Sequence, residues 1–326
     1  MLFCVTDIET TGLDPQEDAI CEIAAVDVEN GSLNFDGDPV RESLVFPGRD
    51  IPPQASAVHH IVEQDVLQKP RANEIIPYVL KPEREDVIYV AHNASFEQSF
   101  LHHYLPADAR WLCTYKSALR VWPEAPAHSN QVLRYWRAWQ LENRNLADRT
   151  HRAGPDAYVT AHLLIDLLNQ ASVDDMLDWS KEPPMFPTCT IGRKQGWYGK
   201  PWSEIDNGAL IWIVNTIEDN PDVVWNARYH LEQRAKAQQS VENERKARMR
   251  EAYVLGATAA IRTARTVQDL ADWWLDPKCQ QHRAIHEITK GTPEYAKLAE
   301  MCKQKKADLL AGVEEKLRPA ERRMAA

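Results

Sequence analysis

The chain has 326 residues, of which 44% are hydrophobic and 26% charged, the composition of a folded protein with room for one domain and smaller attachments. This excludes wholesale disorder and a fibrous architecture, and no stretch approaches the roughly 20 apolar residues that a membrane span requires. The net charge of -10 is uneven, because residues 236–326 hold 18 Lys+Arg against 13 Asp+Glu while residues 1–235 hold 20 against 35. An acidic body carries a basic tail. The six cysteines (Cys4, Cys21, Cys113, Cys189, Cys279, Cys302) form no C-x-x-C pair and no zinc spacing, as expected of a soluble protein in the reducing cytoplasm.

Residues 2–6 read as a buried strand and 19–28 as a second, with a hairpin turn at Asn30-Gly31. A third strand is expected over 42–46. Pro52-Pro53 then opens a loop that leads into short helical pieces up to Leu80. A buried strand over 87–91 precedes a helix over 95–104, a strand over 111–114 and a helix over 130–139. Residues 156–169 predict a strongly patterned amphipathic helix. Two or three antiparallel strands followed by alternating strands and helices predict a three-layer α/β domain with a mixed sheet over 1–172. Pro183-Pro184 and Pro187 mark a linker over 173–188, with residues 179–182 as a connector. A small α-rich domain is expected over 189–235 and a basic helical extension over 236–326, with helices over 266–275 and 293–310 separated by Pro277 and Gly291.

Strand alternation puts Asp7 and Glu9 on the same side near the end of the first strand, where paired carboxylates can hold hard divalent ions. Gly12 then releases the chain at a turn, so that a nucleotide can approach the backbone of Thr10 and Thr11. A second cluster, His92-Asn93-Ala94-Ser95-Phe96-Glu97, passes from strand to helix with Glu97 in the first turn. The third runs from His151 to Asp156 and offers a base on the approach to a helix and an acid on its first turn. Each motif alone is common, as a polar strand end or as an acid drawn to a helix N-terminus.

Together, D-x-E-T-T-G, A-H-N-A-x-F and H-x-A-G-x-D-A resemble the DEDDh 3′→5′ exonuclease family, which includes the proofreading subunit of bacterial DNA polymerase III, ribonuclease T and exonuclease X. The resemblance covers about the first 170 residues. It implies a ribonuclease H-like fold and two bound metals, Mg²⁺ or Mn²⁺, held by Asp7, Glu9, Glu97 and Asp156. It also implies His151 as the general base, and Thr10, Thr11, Gly12, Leu13, His92, Asn93 and Phe96 around the terminal nucleotide. Leu13, just beyond the turn, reads as a wedge between terminal bases or as a core-packing residue. The family usually has Asp where this chain has Glu97, and activity with an altered metal preference is expected. The implied substrate is a 3′ end of single-stranded or frayed DNA, cleaved to nucleoside 5′-monophosphates; the alternatives are an exoribonuclease and a nucleic-acid-binding module of weak activity.

Residues 189–233 resemble the small C-terminal domain of exonuclease X, with Gly192-Arg193, Gly199-Lys200 and Trp202 loosely matching its G-K-x-x-G-K-x-W pattern. Arg193, Lys194 and Lys200 interleave there with Trp197, Tyr198 and Trp202, a chemistry suited to single strands, although Trp202 and Trp212 also read as core residues. Trp273-Trp274 is expected to pack on a neighbouring helix. His59-His60 and His102-His103 are read as surface or core residues, since adjacent side chains diverge on a helix or strand.

Overall fold

The structure is a computed structural model that describes residues 1–34, 38–81 and 83–324, with side chains to residue 312. The last two residues of the expected extension lie outside the described residues. Two compact units are formed, Met1–His230 and Leu231–Ala326.

In the first unit, β1 (Leu2–Thr10) pairs antiparallel with β2 (Ile20–Glu29), which also takes β3 (Ser32–Leu33) and β4 (Val40–Leu44) on its outer side. Asn30 and Gly31, with φ of 52° and 75°, supply the left-handed turn that a tight β2–β3 hairpin needs. Helices α1 (Pro53–His59), α2 (Glu63–Val66) and α3 (Ala72–Leu80) follow. Then β5 (Val87–Ala91) joins β1 in parallel, and after α4 (Ser95–Leu101) β6 (Arg110–Cys113) joins β5 in parallel. The sheet is therefore mixed, in the order β3-β2-β1-β5-β6 with β4 also on β2. Five helices come next: α5 (Thr114–Val121), α6 (Asn130–Trp136), α7 (Arg144–Ala147), α8 (Ala153–Leu168) and α9 (Val173–Lys181).

Three layers result from the strand period. Phe3, Val5, Ala24, Val26, Ile88, Val90 and Leu112 pack with residues of α5, α6 and α8 on one face. Cys4, Ile23, Ala25, Val87 and Tyr89 pack with residues of α3 and α4 on the other. Asp7 and Glu9 continue the row of Phe3 and Val5, so they point to the α8 side.

Two expectations change. Helix α8, expected over 156–169 as a strongly patterned amphipathic helix, starts at Ala153 and is mostly buried, with 11 of its 16 residues between the sheet and its helical neighbours. The expected linker over 173–188 is helical in its first part. Ser172 caps α9 by accepting the Asp175 N–H at 3.1 Å, Met176 is buried, and the Ser180 hydroxyl accepts the Cys113 N–H at 2.7 Å. The helix ends at Lys181, and Glu182 is already extended ahead of Pro183-Pro184.

Helices α10 (Asn207–Thr216) and α11 (Pro221–Thr263) follow the Gly- and Trp-rich loop. Asn226 is fully buried on α11, where it accepts the Phe186 N–H and donates to the Pro184 carbonyl, both at 2.9 Å. In the second unit, the rest of α11 packs with α12 (Val267–Leu275), α13 (Pro277–Ile285) and α14 (Pro293–Met324) around Ala257, Ile261, Leu270, Ile288 and Leu298. Trp274 meets Tyr295 edge-on at 5.6 Å, the helix packing expected of the tryptophan pair. Pro277 begins α13 and does not merely separate helices, since Asp276 caps the turn that follows. No helix among the described residues is long and apolar enough to cross a membrane.

Candidate active site

Four carboxylates reach one end of the sheet. Asp7 and Glu9 come from β1, Glu97 from the first turn of α4 and Asp156 from the first turn of α8. Ligand oxygens of Asp7, Glu9 and Asp156 all lie within 4.8 Å of one another. Glu97 stands outside that close group. It is nevertheless buried, its charge bears on Asp7, and its Oε2 has no hydrogen-bond partner among the described residues.

Burial is the largest influence on all four. It holds the Asp7 carboxyl well above the usual range, and repulsion from Asp156, Glu97 and Glu9 adds to it. Glu9 is pushed up to about 8, by burial and then by Asp156, and Glu97 also to about 8. Asp156 is raised by burial against the favourable hydrogen bond from the His151 N–H. Converging buried carboxylates cannot all ionise without a counter-charge, and an all-oxygen donor set fits a hard divalent cation.

The positioning of Asp156 depends on a pair that sequence reasoning missed. Glu22 lies opposite Glu9 in the β1–β2 register and is 2% exposed. It accepts from Arg152 Nε at 2.9 Å, from Arg152 Nη2, and from the Ala153 N–H at 2.9 Å, which caps α8. The signal was an acid inside a largely apolar strand, which demands a partner. Gly154 serves the same docking, because a Cβ there would run into the Glu42 carboxylate of β4.

His151 is exposed on the approach to α8 with φ of 59°, and its N–H donates to Asp156 Oδ2 at 2.8 Å. The expected pocket residues divide into exposed and bracing groups. Leu13 is 83% exposed, which excludes core packing. Asn93 is exposed in the left-handed region, and Phe96 is half-buried against Phe100. Thr11 is instead buried in the turn, where its hydroxyl donates to Asp18 Oδ1 at 3.1 Å and accepts the Ala19 N–H at 3.0 Å. Thr10 donates to the Gly12 carbonyl at 2.5 Å. Gly12 admits the Asp18 carboxylate, into which a Cβ would collide, so the turn is braced from within. His92 donates from Nε2 to the His128 carbonyl at 2.8 Å with Nδ1 3.0 Å from the Thr114 hydroxyl, and burial pulls its imidazole down to about 4. It supports the pocket as a neutral ring. His59 is buried against Cys21, whereas the His102 and His103 rings are exposed and 3.7 Å apart, so these neighbours do not diverge.

A family model described as exonuclease matches residues 4–164. The chain is 36% identical to exodeoxyribonuclease 10 of Escherichia coli K12 over 231 residues, 70% of this chain and 98% of that protein. It is 33% identical to DNA polymerase III subunit epsilon of Treponema pallidum over 179 residues, 51% of this chain and 76% of that one. A solved structure of exonuclease X in complex with 5′ overhanging duplex DNA has 36% identity, covers 55% of this chain and 99% of its own, and gives a TM-score of 0.46. The chain thus belongs to the DEDDh 3′→5′ exonuclease family.

Proposed function

We propose that the protein removes nucleoside 5′-monophosphates stepwise from the 3′ ends of single-stranded or frayed DNA, using two divalent cations, Mg²⁺ or Mn²⁺. The observation that carries this reading is the convergence of Asp7, Glu9 and Asp156 within 4.8 Å beside the partnerless Oε2 of Glu97. Asp7, Glu9, Glu97 and Asp156 would hold the ions. With Glu22 they make five carboxylates gathered at this end of the sheet, of which, among the described residues, only Glu22 is ion-paired, with Arg152, so the remaining negative charge calls for cations. Bound there, the ions would supply hydroxide near neutral pH and offset the charge that develops on the phosphate.

The residues of the chain do the rest. His151 takes the proton of the attacking water: its backbone is fixed by the bond to Asp156 while its ring remains exposed. Leu13 inserts beside the terminal base, with Asn93 and Phe96 lining the pocket and Thr10, Thr11 and Gly12 shaping its turn. DNA is favoured over RNA because one relative is named an exodeoxyribonuclease and another a DNA polymerase subunit. All six cysteines are free, which fits a cytoplasmic setting.

The test is digestion of matched 5′-labelled DNA and RNA single strands with Mg²⁺ or Mn²⁺, with EDTA and Asp7→Ala as controls. Stepwise shortening of DNA that requires both metal and Asp7 is expected. Faster shortening of RNA would make the protein an exoribonuclease, and binding without shortening would make it a binding module.

A further inference from the structure

The loop that precedes α10 holds cations and rings that the reaction above does not use. Residues 183–203 include Arg193, Lys194 and Lys200 and no carboxylate, within an otherwise acidic body. The three cations are exposed, and among the described residues none of them is in an ion pair. The loop is fastened by its own backbone: the Cys189 N–H donates to the Lys200 carbonyl and the Gly199 N–H to the Cys189 carbonyl, both at 2.8 Å, and the Trp197 N–H to the Gly192 carbonyl at 3.0 Å. Cys189, Trp202 and Ile205 are buried beneath it.

Packing therefore claims Trp202, which stacks on His230, but not the other rings. Tyr198 is 47% and Trp212 43% exposed, and Trp197 lies 5.7 Å from Trp212. The Arg193 guanidinium sits 3.6 Å from the centre of the Tyr198 ring, so a cation and an aromatic face are presented together. An apolar partner would leave the cations unanswered, and a duplex keeps its base faces stacked inside. A single strand offers both phosphates and open base faces at short intervals.

We propose that Arg193, Lys194, Tyr198, Lys200 and Trp212 form a second single-strand site, which holds nucleotides upstream of the 3′ end under cleavage. Its purpose rests on the exonuclease reading, but its test does not, because binding is measured where no cleavage occurs. The full chain in EDTA is titrated into labelled single-stranded DNA of roughly 20 nucleotides, longer than one small binding site. Arg193→Gln with Lys200→Gln is expected to weaken binding about tenfold and to lower the salt slope by about 1.4, roughly 0.7 for each phosphate that is no longer neutralised. Tyr198→Leu is expected to weaken binding about tenfold, and Tyr198→Phe to retain it, since the face survives.

With metal present, the same substitutions shrink the KM advantage of such a strand over one of about four nucleotides. Unchanged affinity in both the Arg193/Lys200 double variant and Tyr198→Leu overturns the proposal, as does an equal weakening in Tyr198→Phe or equally tight binding of blunt duplex. If the wild-type chain binds but never cleaves, the exonuclease reading fails and the binding result stands.

Discussion

The two ends of the β1–β2 pair treat buried acid in opposite ways. At the end where Cys4 faces Asp27, the Asp27 carboxylate is clasped by Arg41 through two bonds of 2.9 Å and by Arg84 at 2.7 Å. At the end where Glu9 faces Glu22, five carboxylates gather, and among the described residues only Glu22 of these five is in an ion pair, with Arg152. An answered carboxylate belongs to the fold, whereas converging unanswered ones keep a demand for a cation from outside. Burial alone thus does not mark a site; the shortage of partners does.

The largest expected effect breaks the unanswered end. Asp7→Asn or Asp156→Asn should lower kcat on labelled DNA by on the order of 10³ or more. Each should also raise the melting temperature of the metal-free protein, because a buried carboxyl whose ionisation the fold disfavours is removed. A fall in melting temperature would turn the cluster into an ordinary structural network. Next comes His151→Ala, expected to lower kcat by about 10²–10⁴ with little change in melting, as suits an exposed proton acceptor. The opposite end sharpens the contrast: Asp27→Asn leaves Arg41 and Arg84 unanswered in partly buried positions, and should lose about 2 kcal/mol of stability by urea unfolding while each folded molecule keeps its activity.

Much of this contrast was legible in the sequence, because the strand period and the helix first turns fix where Asp7, Glu9, Glu97 and Asp156 can point. The three-layer domain with its mixed sheet followed from the order of elements, antiparallel strands first and then strands alternating with helices. Three things were not legible. The Glu22–Arg152 pair joins residues 130 apart, and no local pattern announces which guanidinium answers a strand acid. The division of the pocket into exposed Leu13 and buried Thr11 depends on Asp18 folding back under the turn. Helix α9 was missed because the prolines that follow it outweigh, as a local pattern, its Ser172 cap and buried Met176.

A smaller effect separates the ends by pH. In the metal-free protein Glu9 and Glu97 have carboxyls raised to about 8 by burial, above the ordinary value of 4.5. The folded state therefore binds more protons than the unfolded one between about pH 4.5 and 8, so stability is present below that window and lost as pH rises through it. Melting temperature in EDTA should fall from pH 5 to pH 8.5, and saturating Mg²⁺ should remove most of the slope. A flat profile in EDTA would mean that these carboxyls already have a counter-charge within the chain.

The smallest expected change is at Glu97, where the family's usual residue is one methylene shorter. The longer side chain keeps its carboxylate buried and unpartnered yet outside the 4.8 Å group of Asp7, Glu9 and Asp156. Two arguments oppose each other in Glu97→Asp. Shortening returns the usual donor position, but it also withdraws the carboxylate into a site built around the longer arm and leaves a gap about the size of one methylene. Because Mg²⁺ often meets a carboxylate through water, either length can serve, and the rate should stay within about tenfold while the ratio of Mg²⁺ to Mn²⁺ activity shifts. A gain of roughly a hundredfold would instead mean that Glu97 has weakened an ancestral site, and a loss of that size that the surrounding fold has adapted fully to glutamate.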